Sequence, residues 1–295
     1  MIDTESLNAL NLYSNDISAE GAKLIAQMLA NKSNLRTLGL SNNIIGHGGA
    51  RELANTCLRH LNSLQTLALE SNLIGNIGLN NIANALLHNT NLQDLFLYNN
   101  DIDDEILPDF SKMLANKPQL RVLGLEYNRI RSRGAVSVFE AVQKLPKFER
   151  FFISHNLLDH EIGPAVSELI TNSKTLKEIR INCNNQMGDE CGLEIARALL
   201  RTQTVKVCHL SDTKLSGKSA EMLAEVLRQS PSLKDLDISN NLIIMDDIEL
   251  LANAFKESQI ECLNIRGNIV SAEEIVAFEH LLMPVSTMTK RKFIF

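Results

Sequence analysis

The sequence is poor in aromatic residues, with ten Phe, three Tyr and no Trp among 295 residues. The five cysteines are odd in number and show neither paired nor zinc-binding spacing, so we expect no disulfide framework and no zinc site. No run of about 18 apolar residues is present, so we expect no membrane span. The net charge of −6 argues against binding to nucleic-acid phosphates. With 44% hydrophobic and 22% charged residues, the composition is that of an ordinary globular protein.

One short segment recurs along the whole chain, and Leu35–Ile45 is a clear copy of it. Its pattern is L-x-x-L-x-L-x-x-N-x-I, and most copies begin 28 residues after the previous one. The polar residue near the end of each copy, called the anchor below, is Asn in nine copies and Thr in one. The ten anchors are Asn15, Asn43, Asn72, Asn100, Asn128, Asn156, Asn184, Thr213, Asn241 and Asn268. Repetition in register over ten copies indicates a repeat protein rather than two globular domains.

The repeat pattern resembles that of the leucine-rich repeat family. The 28-residue period is similar to the ribonuclease-inhibitor subfamily, which includes the repeats of NOD-like receptors and of Ran GTPase activators. In each unit L-x-L has the period of a strand, and the residues beyond the anchor have the period of a helix. We therefore expect an α/β leucine-rich repeat solenoid, shaped as a horseshoe, with a parallel β-sheet on the concave face and helices on the convex face.

The repeats extend over residues 1–283, which we predict to form a single leucine-rich repeat domain of ten repeats. Residues 284–295 remain as a tail, which either covers part of the last repeat or serves as a sorting signal. Thr213 has a single hydroxyl where the other anchors have an amide, so we expect a local irregularity in repeat 8. The first strand begins at Leu7, so its edge is bare, covered by a partner, or preceded by further residues.

No catalytic or metal-binding arrangement is found in the sequence. Ser216-Gly217-Lys218-Ser219 resembles part of a phosphate-binding loop, but Asp212 stands where that loop requires Gly. No Ser/His/Asp set and no His pair at metal-ligand spacing can be assembled. We therefore expect no enzyme activity, no cofactor and no metal.

The outward-facing strand residues are the candidate binding surface, because solenoids bind partners mainly on the concave wall. Five of the thirteen aromatic residues fall there: Tyr13, Phe96, Tyr98, Tyr127 and Phe152. Tyr and Arg are frequent interface anchors, although aromatic residues can also merely pack sideways on a sheet. The predicted partner-binding residues are Phe96, Tyr98, Glu126, Tyr127, Arg150, Phe152, His155, Arg180, Asp235 and Asp237.

These observations predict a non-enzymatic protein–protein interaction module, monomeric or weakly oligomeric and cytoplasmic, with a protein partner. A bacterial effector acting in the cytosol of a host cell is one form that this function could take. The alternative is a GTPase-activating protein of the Ran GTPase activator type, which the segment 184–199 resembles. The vertebrate ribonuclease inhibitors alternate Asn and Cys anchors, whereas no anchor here is Cys, which argues against a close relationship.

Overall fold

Strands and helices alternate along the chain with the period of the repeats. The structure is a computed structural model and describes residues 7–269 and 291–295. It divides into two compact units, Met1–Asn156 and Leu157–Phe295. Each unit is a layer of parallel strands with helices packed against one side.

From residue 7 onward, the first unit has six strands that pair in chain order and in parallel. The strands are β1 Ala9–Asn11, β2 Thr37–Gly39, β3 Thr66–Ala68, β4 Asp94–Phe96, β5 Val122–Gly124 and β6 Arg150–Phe152. The helices are α1 Ala19–Leu29, α2 Gly46–Thr56, α3 Gly75–Leu86, α4 Leu107–Leu114 and α5 Ser132–Gln143. Gly46 and Gly75, with φ of +60° and +61°, begin α2 and α3, so glycine serves the turn geometry there.

The second unit has the same construction, and its described residues form five parallel strands in chain order. The strands are β7 Glu178–Arg180, β8 Val207–His209, β9 Asp235–Asp237, β10 Cys262–Asn264 and β11 Lys292–Ile294. The helices are α6 Gly163–Asn172, α7 Gly188–Leu199, α8 Gly217–Gln229 and α9 Met245–Glu257.

The core is formed by the apolar columns that the repeat predicts. The middle residue of each strand points toward the helices and is fully buried from Leu38 in β2 to Leu263 in β10. The helical columns are buried too, as Phe110, Val138 and Phe255 illustrate. The first and third residues of each strand point to the opposite side, which we call the open face. The sequence therefore predicted the leucine-rich repeat fold correctly. By the same spacing from the anchor Asn268, the sequence predicts Phe278 and Leu282 in a last helix, and both lie outside the described residues.

The anchor asparagines bind neighbouring repeats together. The Nδ2 atom of Asn100 donates to the backbone oxygens of Leu97 (3.1 Å), Tyr98 (3.2 Å) and, in the preceding repeat, Leu69 (2.9 Å). Its Oδ1 atom accepts from the backbone nitrogens of Asn72 (3.0 Å) and Ile74 (3.3 Å). Each anchor thus pairs backbone groups where the chain leaves the strand, and those groups could not be buried unpaired.

The irregularity that we expected in repeat 8 is present at its anchor, Thr213, and extends into repeat 7. The hydroxyl of Thr213 donates to the Leu210 carbonyl at 2.6 Å, and its amide donates to Asn241 Oδ1 at 3.0 Å, as in a regular repeat. In repeat 7, which carries one extra residue, the amide of Met187 instead donates to the backbone oxygen of Asn184 at 3.2 Å. The hydroxyl of Thr213 has a single proton, so it cannot reproduce the three contacts of an amide.

Within the predicted tail, residues 292–294 form strand β11 beside β10. The sequence did not predict this strand, because Lys292-Phe293-Ile294 carries no L-x-x-L pattern. Residues 284–290 of the tail lie outside the described residues.

Candidate functional site

The residue before each anchor has a left-handed backbone. Its φ lies between 51° and 57° at Ser14, Asn42, Ser71, Asn99, Tyr127, His155, Cys183, Asp212 and Asn240. Asn and Asp tolerate this conformation because their short polar side chains bond locally, whereas a bulky side chain is uncommon there. Tyr127 and His155 are therefore the bulky exceptions in this column of residues.

The rings of Tyr127 and His155 stack on the open face of the first unit. Their centroids are 3.9 Å apart and their planes are inclined by 11°. Tyr127 is 55% exposed, so its ring remains available to a partner. Its amide still donates to the Ser154 carbonyl at 3.0 Å, so the turn keeps its regular hydrogen bond. The stacking offsets part of the cost of holding two bulky residues in a left-handed turn.

Tyr98 lies half-buried beside this pair, in a field of negative charge. Burial raises the pKa of its hydroxyl, and the charges of Glu70 and Glu126 raise it further. Burial also raises the pKa of the Glu70 carboxyl, against the effect of a hydrogen bond from the Ser41 hydroxyl. Glu70 and Tyr98 occupy the same place in successive repeats, two residues before the anchor. The sequence analysis missed Glu70, although this position could have identified it.

Gly124 leaves room for two of the predicted residues. A Cβ atom at this position would lie 3.0 Å from a carboxylate oxygen of Glu126 and 3.2 Å from the ring of Phe96. Both side chains therefore lie over the end of β5, at Gly124. Phe152 occupies the corresponding place on β6, with Arg150 two residues before it, and both are half-buried. Seven of the ten predicted residues thus lie together on or beside β4, β5 and β6.

The other three predicted residues lie on the open face of the second unit. Arg180 forms an ion pair with Glu178 on its own strand, at 2.6 Å. Asp235 and Asp237 lie on β9, and Asp237 accepts hydrogen bonds from the Ser239 amide (2.9 Å) and hydroxyl (2.6 Å).

His209, which the sequence analysis missed, lies beside these acids. Its Nε2 atom is 3.5 Å from an oxygen of Asp235. It stands four residues before the anchor of repeat 8, so the same outward position that pointed to Phe96 could have identified it.

The phosphate-loop-like segment is the beginning of helix α8, and a carboxylate occupies its N-terminal end. Asp189 accepts hydrogen bonds from the Ser216 amide (2.8 Å), the Ser216 hydroxyl (2.6 Å) and the Ser219 hydroxyl (2.6 Å). Burial tends to raise the pKa of Asp189, but these hydrogen bonds outweigh it, and the pKa lies below its usual value. An anion would compete there with a negatively charged side chain.

The five thiols are unpaired, and burial raises the pKa of Cys57, Cys191 and Cys208 to about 12. In the part of the chain that the structure describes, no three His, Cys, Asp or Glu residues are grouped to hold a metal ion. Over the same residues, no helix combines the length and apolar character needed to cross a membrane.

Comparison with known proteins gives matches at the level of single repeats and of most of the chain. Residues 5–26 and 91–113 each match a model of a leucine-rich repeat. The mouse ribonuclease inhibitor is 30% identical over 237 residues, which are 80% of this chain and 46% of the inhibitor. The pig ribonuclease inhibitor is 29% identical over 243 residues, or 81% of this chain and 53% of the inhibitor. The chain therefore spans about half the length of these curated relatives.

Among solved structures, an internalin from Listeria monocytogenes aligns with a TM-score of 0.53 and 17% identity. The alignment covers 98% of this chain and 86% of the internalin. At this identity the likeness concerns the fold alone. Together with the repeats and their anchors, these matches identify the chain as a leucine-rich repeat protein. Its repeats are of the ribonuclease-inhibitor-like kind, although none of its anchors is Cys.

Proposed function

We propose that the chain is a non-enzymatic protein–protein interaction module that binds a protein partner on the open face of its strands. The observation that carries the proposal is the stacked pair of Tyr127 and His155. The left-handed conformation costs an L-residue about 1–2 kcal/mol, and Gly, Asn and Asp adopt it most readily. The fold needs neither ring, because the same turn is formed by Ser71 and Asn99 in neighbouring repeats. Strain of this kind concentrates at functional sites.

The surroundings of the pair suit a protein surface. Phe96, Tyr98 and Phe152 provide large half-exposed rings, which supply much of the binding energy in protein interfaces. Glu126 and Arg150 place opposite charges beside these rings, which would select the orientation of the partner. On the second unit, Asp235 and Asp237 would meet a basic segment of the partner, and Arg180 a nearby acidic group.

The relatives are consistent with this proposal. The mouse and pig proteins are named as inhibitors of ribonuclease. The chain matches about half of each of them, so the identity of its own partner is a separate question.

The decisive experiment compares capture by the wild type with capture by the Tyr127→Asn/His155→Asn variant. Ser71→Asn is the matched control, because it changes the same turn position outside the ring cluster. Proteins captured from a cell lysate are identified by mass spectrometry, and the strongest is purified and its Kd measured. We expect at least a tenfold weaker Kd for the double variant and no change for the control. An unchanged Kd for the double variant would refute the assigned surface.

We further propose a cytoplasmic setting, which in a translocated bacterial effector would be the host cytosol. Its support is the set of five unpaired thiols, three of them fully buried. Buried thiols persist most readily in a reducing compartment. Fractionation of the source cells, and of a host cell where one exists, tests this setting. Recovery of the protein only from the outside medium would contradict it.

GTPase activation remains the alternative function. A GTPase activator accelerates hydrolysis by completing or ordering the partner's catalytic site, so it needs no cleft of its own. A panel of small GTPases is therefore assayed for GTP hydrolysis with and without the chain. Acceleration by several orders of magnitude would favour this alternative, and none with any GTPase would exclude it for that panel.

A further inference from the structure

The edge of β10 is occupied by residues from much later in the chain. Leu263 lies opposite Phe293 in the parallel register. The amide of Lys292 donates to the Glu261 carbonyl at 2.8 Å, and the amide of Ile265 donates to the Ile294 carbonyl at 2.9 Å. Strand β11 therefore pairs backbone groups that an open sheet edge would leave exposed.

Arg291 connects the same segment to the end of helix α9. Its guanidinium donates to the backbone oxygens of Ile260 (2.8 Å) and Phe255 and to the Ser258 hydroxyl (3.0 Å). It also lies over the ring of Phe255, 4.1 Å from the centroid. The last carbonyls of a helix lack partners within the helix and carry partial negative charge, so a cation is favoured there.

Helix ends elsewhere in the chain are closed by the next repeat in the same way. The ammonium of Lys117 donates to the Leu86 carbonyl at 2.8 Å, at the end of α3. The hydroxyl of Ser230 donates to the Leu199 carbonyl at 3.0 Å, at the end of α7. The end of α9 is thus an acceptor position of a recurring type, and here Arg291 fills it.

Phe293 supplies the third contact of the segment. Its ring lies 5.5 Å from the ring of Phe255, centroid to centroid, at an angle of 54°. Lys292 and Ile294 point to the other side and are exposed. Every second residue of the segment therefore faces the repeats. The pattern in contact with them is a basic residue, any residue and an aromatic residue.

We propose that the edge of β10 and the end of α9 form a binding site for an extended basic-x-aromatic segment. Residues 291–295 are the ligand of this site, held in the same chain. Recognition has two parts, namely main-chain pairing along β10 and the two side chains of Arg291 and Phe293. We expect the engagement to be separable from the folding of the repeats, because the contacts described above are with β10, the end of α9 and the turn between them.

Hydrogen exchange of single amides in the full chain tests this proposal. The amide of Ile265 reports the docked segment, because its acceptor is Ile294. The amide of Ile238, which donates to the Asn264 carbonyl at 2.9 Å, reports the sheet one strand inward. We expect Arg291→Ala to accelerate exchange at Ile265 at least about tenfold and at Ile238 less than about twofold. Lys292→Ala, at the exposed neighbouring position, is the matched control and should change neither amide.

A second arm supplies the ligand from outside. A synthetic peptide with the sequence of residues 291–295 is added at about 1 mM to the Arg291→Ala variant. It should restore the slow exchange at Ile265, whereas the same peptide with Ala in place of Arg should not. Equal exchange at Ile265 in the wild type and the variant would overturn the proposal, as would failure of the peptide to restore protection. Equal acceleration at Ile238 and Ile265, in Arg291→Ala and in the milder Phe293→Leu, would overturn the separability.

Discussion

Replacing the stacked pair Tyr127 and His155 by asparagine should leave the chain at least as stable as the wild type. Both residues have a left-handed backbone, with φ of 53° and 55°. The conformation costs an ordinary residue about 1–2 kcal/mol, and we take relief of about 1 kcal/mol for each Asn. The stacking at 3.9 Å is worth about 1 kcal/mol. Each single substitution then gains about as much as it loses, and the double substitution gains about 1 kcal/mol.

The most specific part of this prediction is that the two changes in the free energy of unfolding are not additive. The sum of the two single changes in the free energy of unfolding should be near zero, while the double variant is about 1 kcal/mol more stable. Urea unfolding of the four proteins, monitored by circular dichroism, measures the differences. A gain of this size corresponds to a rise in Tm of a few degrees.

Two results would refute the reasoning. Additivity within about 0.3 kcal/mol would mean that the rings do not stabilise each other. A double variant destabilised by more than about 1 kcal/mol would mean that the rings serve the fold, and the argument from strain to function would fail. Stability and partner binding are thus expected to change in opposite directions at this site.

Three further predictions concern the repeats themselves. Thr213→Asn should raise the free energy of unfolding in urea by about 1 kcal/mol, because an amide has two donors where the hydroxyl has one. A lower free energy of unfolding would refute this. Asp189→Asn should cost about 1 kcal/mol at pH 7. Because the pKa of Asp189 is lowered, this cost should vanish as the pH falls through its folded value. For Lys117, burial lowers the pKa to about 8 from 10.5, so between these two pH values the unfolded chain holds a proton that the folded chain has lost. The free energy of unfolding should therefore rise by about 2 kcal/mol between pH 8 and 10.5 relative to Lys117→Met; parallel curves would contradict it.

The fold could be read from the sequence because a repeat leaves little freedom. Leu38, Leu67 and Leu95 stand at equivalent places, and strand period together with helix period fixes which side each residue faces. The left-handed turn before the anchor was not predicted, since it depends on how the anchor amide binds the backbone. Strand β11 was missed for a different reason. It is recognised by pairing and by Arg291, neither of which has a periodic signature.

The candidate site was predicted in part. Periodicity brought Phe96, Tyr98 and Phe152 to one face. It could not show the stacking of Tyr127 on His155, because that depends on ring orientation at two strained turns. Nor could it show that Arg180 is held by Glu178 on its own strand, since neighbouring charges leave several pairings open.

The hydrogen bonds of the anchor residues also influence the order in which the repeats unfold. Asn100 and the equivalent anchors each bind two repeats. Opening the turn at one anchor therefore weakens the neighbouring repeats, so that adjacent repeats unfold cooperatively. The turn from Asn184 to Met187 interrupts this regularity within the second unit. Within the second unit, a protease acting on the native protein should open this turn before the regular turns on either side of it.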